Sequence, residues 1–167
     1  MIFTERFGEM SVDSVKKYLS LYGLDDRVQE FNVSSATVEL AAMALGVSGA
    51  RIAKTISLAK KDGGCLLIVS AGDYKIDNKK FKEFFGFKAS MLSCEDALTL
   101  TGHAVGGVCP FDLPSSVEVY LDNSMRRFET VFPAAGSSSS AVELSCDELF
   151  VASRAKAWGD FCKPKDI

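Results

Sequence analysis

A chain of 167 residues, 47% apolar and 25% charged, is long enough to bury a core as one domain and has an ordinary globular composition. Its longest aliphatic run, Leu66-Leu67-Ile68-Val69, is far too short to span a bilayer, and Met1 to Arg6 lacks the basic start and long apolar stretch of a signal peptide. The net charge of −3 argues against tight non-specific nucleic-acid binding, which needs many phosphate contacts.

Val12, Val15, Tyr18, Leu19 and Tyr22 recur at helical spacing, with Ser11 as the cap and Gly23 as the stop. Val28 to Val33 reads as a strand, and Ser35 opens a short helix from Ala36 to Leu45 that ends at Gly46. Ser48 starts another turn. Thr55 to Ala59 and Cys65 to Ser70 are β-type runs joined by Lys60-Lys61-Asp62-Gly63-Gly64, a hairpin signal. Asp77 caps a helix that stops at Gly86, and Ser93 caps another with Glu95 and Asp96 in its first turn. Val117 to Leu121 and Thr130 to Phe132 read as strands. Gly136 to Ser140 reads as a flexible turn, Ala141 to Leu144 as a strand and Asp147 to Ala155 as the last helix. Strands and helices alternate without a strict βαβ order. The expectation is a single mixed α/β (α+β) domain over residues 1–167, with a mixed, partly antiparallel central sheet surrounded by helices.

Residues 51–88 carry nine Lys/Arg against four Asp/Glu, a local balance of +5 that leaves −8 for the remainder. This suits a phosphate-bearing partner on one face; a solvated lysine-rich helix around Lys79, Lys80 and Lys82 reads the same way. Five widely spaced cysteines without a C-x-x-C pair argue against a zinc site and a disulfide framework, and point to reduced thiols in a cytoplasm. The single histidine, His103, makes a His-based metal site improbable.

Two features carry chemistry. In Ile52-Ala53-Lys54-Thr55-Ile56-Ser57-Leu58 the side chains alternate if the segment is extended, so Lys54 shares a face with Ile52, Ile56 and Leu58. A lysine there either snorkels to the edge or stands at the mouth of a pocket, where it holds a phosphate or polarises an oxygen. In Thr101 to Leu113, TGHAVGGVCPFDL, Gly106 and Pro110 stand four apart with Gly107 between them. Glycine admits close approach and proline stiffens the chain, so free N–H groups of such a loop can face a ligand. An ordinary Gly/Pro connection has the same pattern.

Lys54-Thr55-Ile56 after Ala41 to Gly46, the loop Thr101 to Phe111, Val119 to Asp122, Ala134-Ala135-Gly136, and Val142 to Leu144 with Asp147 to Leu149 together resemble the YbaK/ProX family. These are bacterial aminoacyl-tRNA deacylases related to the editing domain of prolyl-tRNA synthetase, and the similarity runs from about Val28 to Leu149. The resemblance implies hydrolysis of the ester between a mischarged small amino acid, such as cysteine or alanine, and the 3′ end of a tRNA(Pro)-like substrate. Lys54 matches the family's essential lysine, which engages the terminal adenosine's phosphate and positions the ester. Gly106 and Pro110 match the ends of the G-x-x-x-P loop, whose backbone holds the aminoacyl moiety. Thr55, Gly107, Val108, Cys109, Gly136 and Ser137 are the expected substrate-binding residues, and the Gly136–Ser140 tract either hydrogen-bonds the adenosine or is a mobile turn.

The resemblance implies no cofactor and no metal. The attack comes from water, the ribose hydroxyl or the substrate's own side chain. The implied partners are the aminoacyl-tRNA 3′ end and a synthetase such as prolyl-tRNA synthetase, with no membrane involved. The stretch before Val28 adds one helix and no synthetase domain, so a free-standing editing protein is expected. Two other readings stay open. One is a non-catalytic module that binds an aminoacyl or nucleotide end and works with a synthetase. The other is a hydrolase using Cys109 with His103, which requires a low-pKa thiolate within reach of the imidazole.

Overall fold

The computed structural model describes residues 12–33, 37–104 and 107–166. Residues 12–20 form helix α1, with Val12, Val15 and Leu19 buried as their spacing predicts. The Tyr18 hydroxyl donates to the Ala152 carbonyl, tying α1 to the far end of the chain. The chain leaves through Gly23 at φ 71. The expected caps at Ser11 and Ser35, and the helix start at Ala36, lie outside the described residues. The next strand, β1 (Val28–Glu30), stops three residues short of the expected Val33. Helix α2 (Val38–Leu45) is capped by Thr37, whose hydroxyl accepts from Leu40 N–H at 3.1 Å, so it begins later than expected.

Strands β2 (Ile52–Ala59) and β3 (Cys65–Ala71) form the expected hairpin, closed by Lys60 N–H to Gly64 O at 2.9 Å. Then follow β4 (Tyr74–Ile76), α3 (Asn78–Phe85) under its Asp77 cap, and α4 (Cys94–Thr101) under Ser93. Beyond the glycine loop come β5 (Glu118–Asp122), β6 (Thr130–Pro133), β7 (Ser140–Val142), β8 (Leu144–Ser145) and α5 (Cys146–Ala152). The strand expected over Ala141–Leu144 is thus two, because β7 pairs with β1 while β8 pairs with β6. Glu143 between them accepts from the Thr130 hydroxyl at 2.6 Å and from Arg51 at 3.3 Å. The last helix ends at Ala152, before the expected Ala155, and Arg154 at φ 55 turns the chain out of it. Two strands without a counterpart in the sequence reading close the fold, β9 (Ala157–Gly159) and β10 (Cys162–Pro164).

The main sheet has six strands in the order β8-β6-β2-β3-β5-β9. The β2/β3 and β6/β8 pairs are antiparallel, and β2/β6, β3/β5 and β5/β9 are parallel, so the fold is the mixed sheet among helices that was expected. β3 lies at its centre and is buried at every position, which is why its sequence is a continuous apolar run rather than an alternating one. One face of the sheet packs Ala53, Leu67, Val69, Val119 and Leu121 against Val15, Leu19, Phe111 and Leu149. The other packs Ile56, Leu58, Leu66 and Ile68 against Phe81 and Phe161. Among the described residues no helix is long and apolar enough to cross a membrane.

Candidate functional site

The site begins as a gap in the sheet. β6 pairs with β2 only at Ile52 and Ala53, opposite Phe132 and Pro133. Further along the same edge of β2, segment 90–92 takes over, with Leu92 N–H bonded to Ser57 O at 3.0 Å and Ala59 N–H to Ser90 O at 2.8 Å. Lys54, Thr55 and Ile56 lie between the two. Backbone groups on a strand alternate in direction, and those of Ser57 and Ala59 point to this edge. The N–H and C=O of Thr55 therefore point the same way, into the gap, with no strand opposite them among the described residues. A cavity of about 470 Å³ opens there, well within the range of small-molecule sites.

Its walls come from α2, β2, segment 91–97 and the chain around β6 and β7. Val38, Ala41, Leu92, Ala97, Val108 and Ala134 make them mostly apolar. Lys54 lines the cavity but is itself exposed, and among the described residues it has no hydrogen bond or ion pair. Period-two alternation put this lysine on the Ile52, Ile56 and Leu58 face, and the burial of those three side chains agrees with that assignment. The neighbouring Thr55 hydroxyl is buried without any hydrogen-bond partner. A buried hydroxyl in this state costs about 1–3 kcal/mol, so it is a group waiting for an acceptor or donor. A second lysine, Lys165, and one carboxylate, Glu39, also line the cavity.

Among the described residues, the glycine loop reaches the cavity through one residue. Val108 lines it, whereas Cys109 and Phe111 on either side of the buried Pro110 are completely buried in the core. Cys109 was expected to touch substrate; it is instead completely buried in the core and does not line the cavity. Gly107 packs against the Gly136–Ser137 turn so tightly that a Cβ there would sit 2.8 Å from Ser137 Cα and 3.1 Å from the Gly136 carbonyl carbon. Its N–H is bonded to Ala104 O at 2.9 Å, so its part is close packing rather than a free donor. Gly106 lies outside the described residues.

The turn itself is ordered by its own serines, not loose as its composition suggested. Gly136 takes φ 100, the Ser137 hydroxyl bonds the Ser140 hydroxyl at 2.9 Å, and Ser139 N–H bonds Ser137 Oγ at 3.2 Å. Gly136 and Ser137 therefore support the Gly107 loop, while Ser140 at the end of the turn lines the cavity. The structure thus brings Lys54, Thr55 and Val108 to one cavity, and sets Gly107, Pro110, Gly136 and Ser137 behind its wall.

A thiol–imidazole pair is present but has the wrong polarity for nucleophilic catalysis. Cys109 Sγ lies 3.8 Å from His103 Nε2, and that same nitrogen is 2.8 Å from Phe111 O. A carbonyl can only accept, so Nε2 carries the proton and the lone pair sits on Nδ1, which has no partner. Burial pushes the Cys109 thiol up to about 12 and holds the imidazole below its ordinary value. A neutral thiol facing an N–H, both sealed in the core, cannot form the thiolate that such a hydrolase needs. Among the described residues no group of three or more His, Cys, Asp or Glu side chains is placed to hold a metal ion.

Sequence reasoning missed Glu39, Met91, Leu92 and Lys165, whereas Ser140 belongs to the tract it held open as a contact to the adenosine. Lys165 sits in a segment with no periodicity. Met91 and Leu92 reach the site by a single bridge to Leu58 that has no sequence signature.

The mixed sheet with its gap beside Lys54 is accompanied by a family match: the aminoacyl-tRNA editing domain matches residues 33–151. The chain belongs to that family. It is similar to YwhH of Bacillus subtilis (strain 168), an uncharacterised protein, at 53% identity over 92% of this chain and 98% of that one. It is 27% identical, over 68% of its length and 70% of the relative's, to EbsC of Enterococcus faecalis (strain ATCC 700802 / V583). EbsC is provisionally designated a Cys-tRNA(Pro)/Cys-tRNA(Cys) deacylase. A crystal structure of a provisional trans-editing enzyme for prolyl tRNA synthetase superposes with a TM-score of 0.82 at 25% identity, covering 92% of this chain and 97% of the other.

Proposed function

We propose that this chain is an aminoacyl-tRNA deacylase that hydrolyses a small amino acid, cysteine or alanine, from a tRNA(Pro)-like substrate. The observation that carries the reading is the open edge of β2, where a cation and polar groups without partners among the described residues adjoin one another in one cavity. Lys54 neutralises the phosphate of the terminal adenosine. The Thr55 N–H donates to the ester carbonyl and stabilises the negative charge that develops on it as water adds. The ester C–O bond to the ribose then breaks, the ribose oxygen takes a proton, and the free amino acid and the tRNA 3′ hydroxyl leave. The only histidine is sealed in the core, so holding ester and water in register supplies the acceleration. The neutral walls of Ala97, Val108 and Ala134 suit a small uncharged side chain.

The designations of EbsC and of the trans-editing neighbour support the substrate class, with prolyl-tRNA synthetase as the source of the mischarged tRNA. Free thiols at all five cysteines fit a cytoplasmic setting. The test is a screen of purified protein against tRNAs charged with alanine, cysteine, serine and proline. Release of cysteine or alanine from tRNA(Pro), with prolyl-tRNA(Pro) left intact, supports the reading. Folded protein that binds the charged tRNAs and hydrolyses none of them is a binding module instead.

A further inference from the structure

The family match ends at residue 151, yet the cavity has one wall that comes from beyond it. After α5 the chain runs through β9 and Phe161 into β10, which pairs antiparallel with β4 so that Pro164 faces Tyr74 and Lys163 faces Lys75. This strap is firmly held. Phe161 is completely buried among Phe84, Phe85 and Tyr120, its N–H bonds Asp122 Oδ1 at 2.8 Å, and its carbonyl accepts from Asp77 N–H at 2.9 Å. Lys80 Nζ donates to the Cys162 carbonyl at 3.2 Å. The strap ends with Lys165 N–H bonded to Asp73 O at 3.0 Å, just past the end of β3, and Lys165, itself exposed, is one of the residues that line the cavity that Lys54 lines.

Lys165 is not neutralised there. The carboxylate of Asp73, whose backbone carbonyl holds the Lys165 N–H, is bound through both oxygens by Arg127, at 2.6 and 3.1 Å. Among the described residues Lys165, like Lys54, has no ion pair or side-chain hydrogen bond. Among the described residues, two exposed lysines and one carboxylate, Glu39, therefore line one cavity. Such an excess of positive charge on a largely apolar site is relieved by a ligand with more than one negative charge.

We propose that Lys165 is a second phosphate-binding residue of this site, contacting the phosphodiester that precedes the one held by Lys54 in the 3′ strand of the substrate. The proposal rests on the deacylase reading for the identity of the strand, and on the placement of the strap for the contact. Lys165 thus binds the polynucleotide and leaves the ester chemistry to the β2 edge.

The probe is a tRNA acceptor minihelix, whose binding is followed as a function of salt in the full chain and in Lys165→Ala, Lys165→Arg and Lys75→Ala. Each phosphate contact to a single strand contributes about 0.7 to the slope of log affinity against log salt. Lys165→Ala is expected to lose about that much slope and to bind roughly tenfold more weakly in low salt. Lys165→Arg restores the slope, and Lys75→Ala, which lies outside the cavity, keeps it. With charged minihelix, Lys165→Ala raises KM and leaves kcat within about twofold. An unchanged slope in Lys165→Ala, or an equal loss in Lys75→Ala, overturns the proposal while leaving the deacylase reading intact. A slope that falls in Lys165→Ala alone, on a protein that hydrolyses no ester, keeps the phosphate contact and removes the deacylase.

Discussion

Replacing Thr55 by valine separates what the residue does for the fold from what it does for substrate. The two side chains have the same shape, so the change removes a hydroxyl and adds a methyl without leaving a void. In the free protein that hydroxyl is buried with no partner. Leaving it so costs about 1–3 kcal/mol, and because the residue as a whole is only partly buried, the lower end of this range applies. Valine is also the better strand former. Stability should rise by about 1 kcal/mol, which for a chain of this size moves Tm up by roughly 2–4 °C. Activity should move the other way. A neutral hydrogen bond to substrate is worth about 0.5–1.5 kcal/mol, so kcat/KM for the cognate aminoacyl-tRNA should fall roughly 2- to 10-fold. Thermal unfolding and deacylation kinetics on the same preparation read both. A lower Tm would mean that the hydroxyl is already paired in the free protein. A higher Tm with unchanged kcat/KM would mean that it faces no substrate.

Three further outcomes follow from the site's surroundings. Burial holds the His103 imidazole below the ordinary value of about 6.5, so the unfolded chain takes up a proton there that the folded one refuses. Its contribution to stability is complete above about pH 6.5 and declines as pH falls below that; Tm should drop between pH 7.5 and 5.5, and less so in His103→Gln. An equal drop in the variant assigns the effect to other groups. Gly107→Ala places a Cβ 2.8 Å from the Ser137 backbone, so it should cost about 1–3 kcal/mol in unfolding experiments and lower turnover as Val108 shifts; native Tm and turnover would contradict the packing. Cys109→Ala should lower Tm but keep kcat per folded molecule within about twofold. Lost turnover in a folded variant would reinstate a thiol nucleophile.

Local signals in the sequence were legible, and pairings between distant segments were not. The β2/β3 hairpin, the Asp77 and Ser93 caps and the stop at Gly23 each depend on a few neighbouring residues. Lys54 could be assigned a face because side-chain direction along a strand has period two. The gap beside it depends on where β6 stops at Pro133 and where segment 90–92 begins to pair, and neither is encoded near Lys54. The loop showed its glycines and proline, but not that Val108 would face the cavity while Cys109 and Phe111 faced the core. β9 and β10 are three residues each, too short for any periodicity to register, so Lys165 had no signal at all. The serine tract read as loose because composition does not reveal a side chain bonded to its own turn.

The central claim is that Lys54 acts on substrate and does nothing for the fold, and Lys54→Ala tests it most directly. Lys54 is exposed and has no hydrogen bond or ion pair among the described residues, so the variant should unfold within about 0.5 kcal/mol of the native chain. Hydrolysis of the cognate aminoacyl-tRNA by the same preparation should fall roughly 100- to 1,000-fold, the loss expected for a donor to developing or bound negative charge. Native Tm with native turnover would contradict the account.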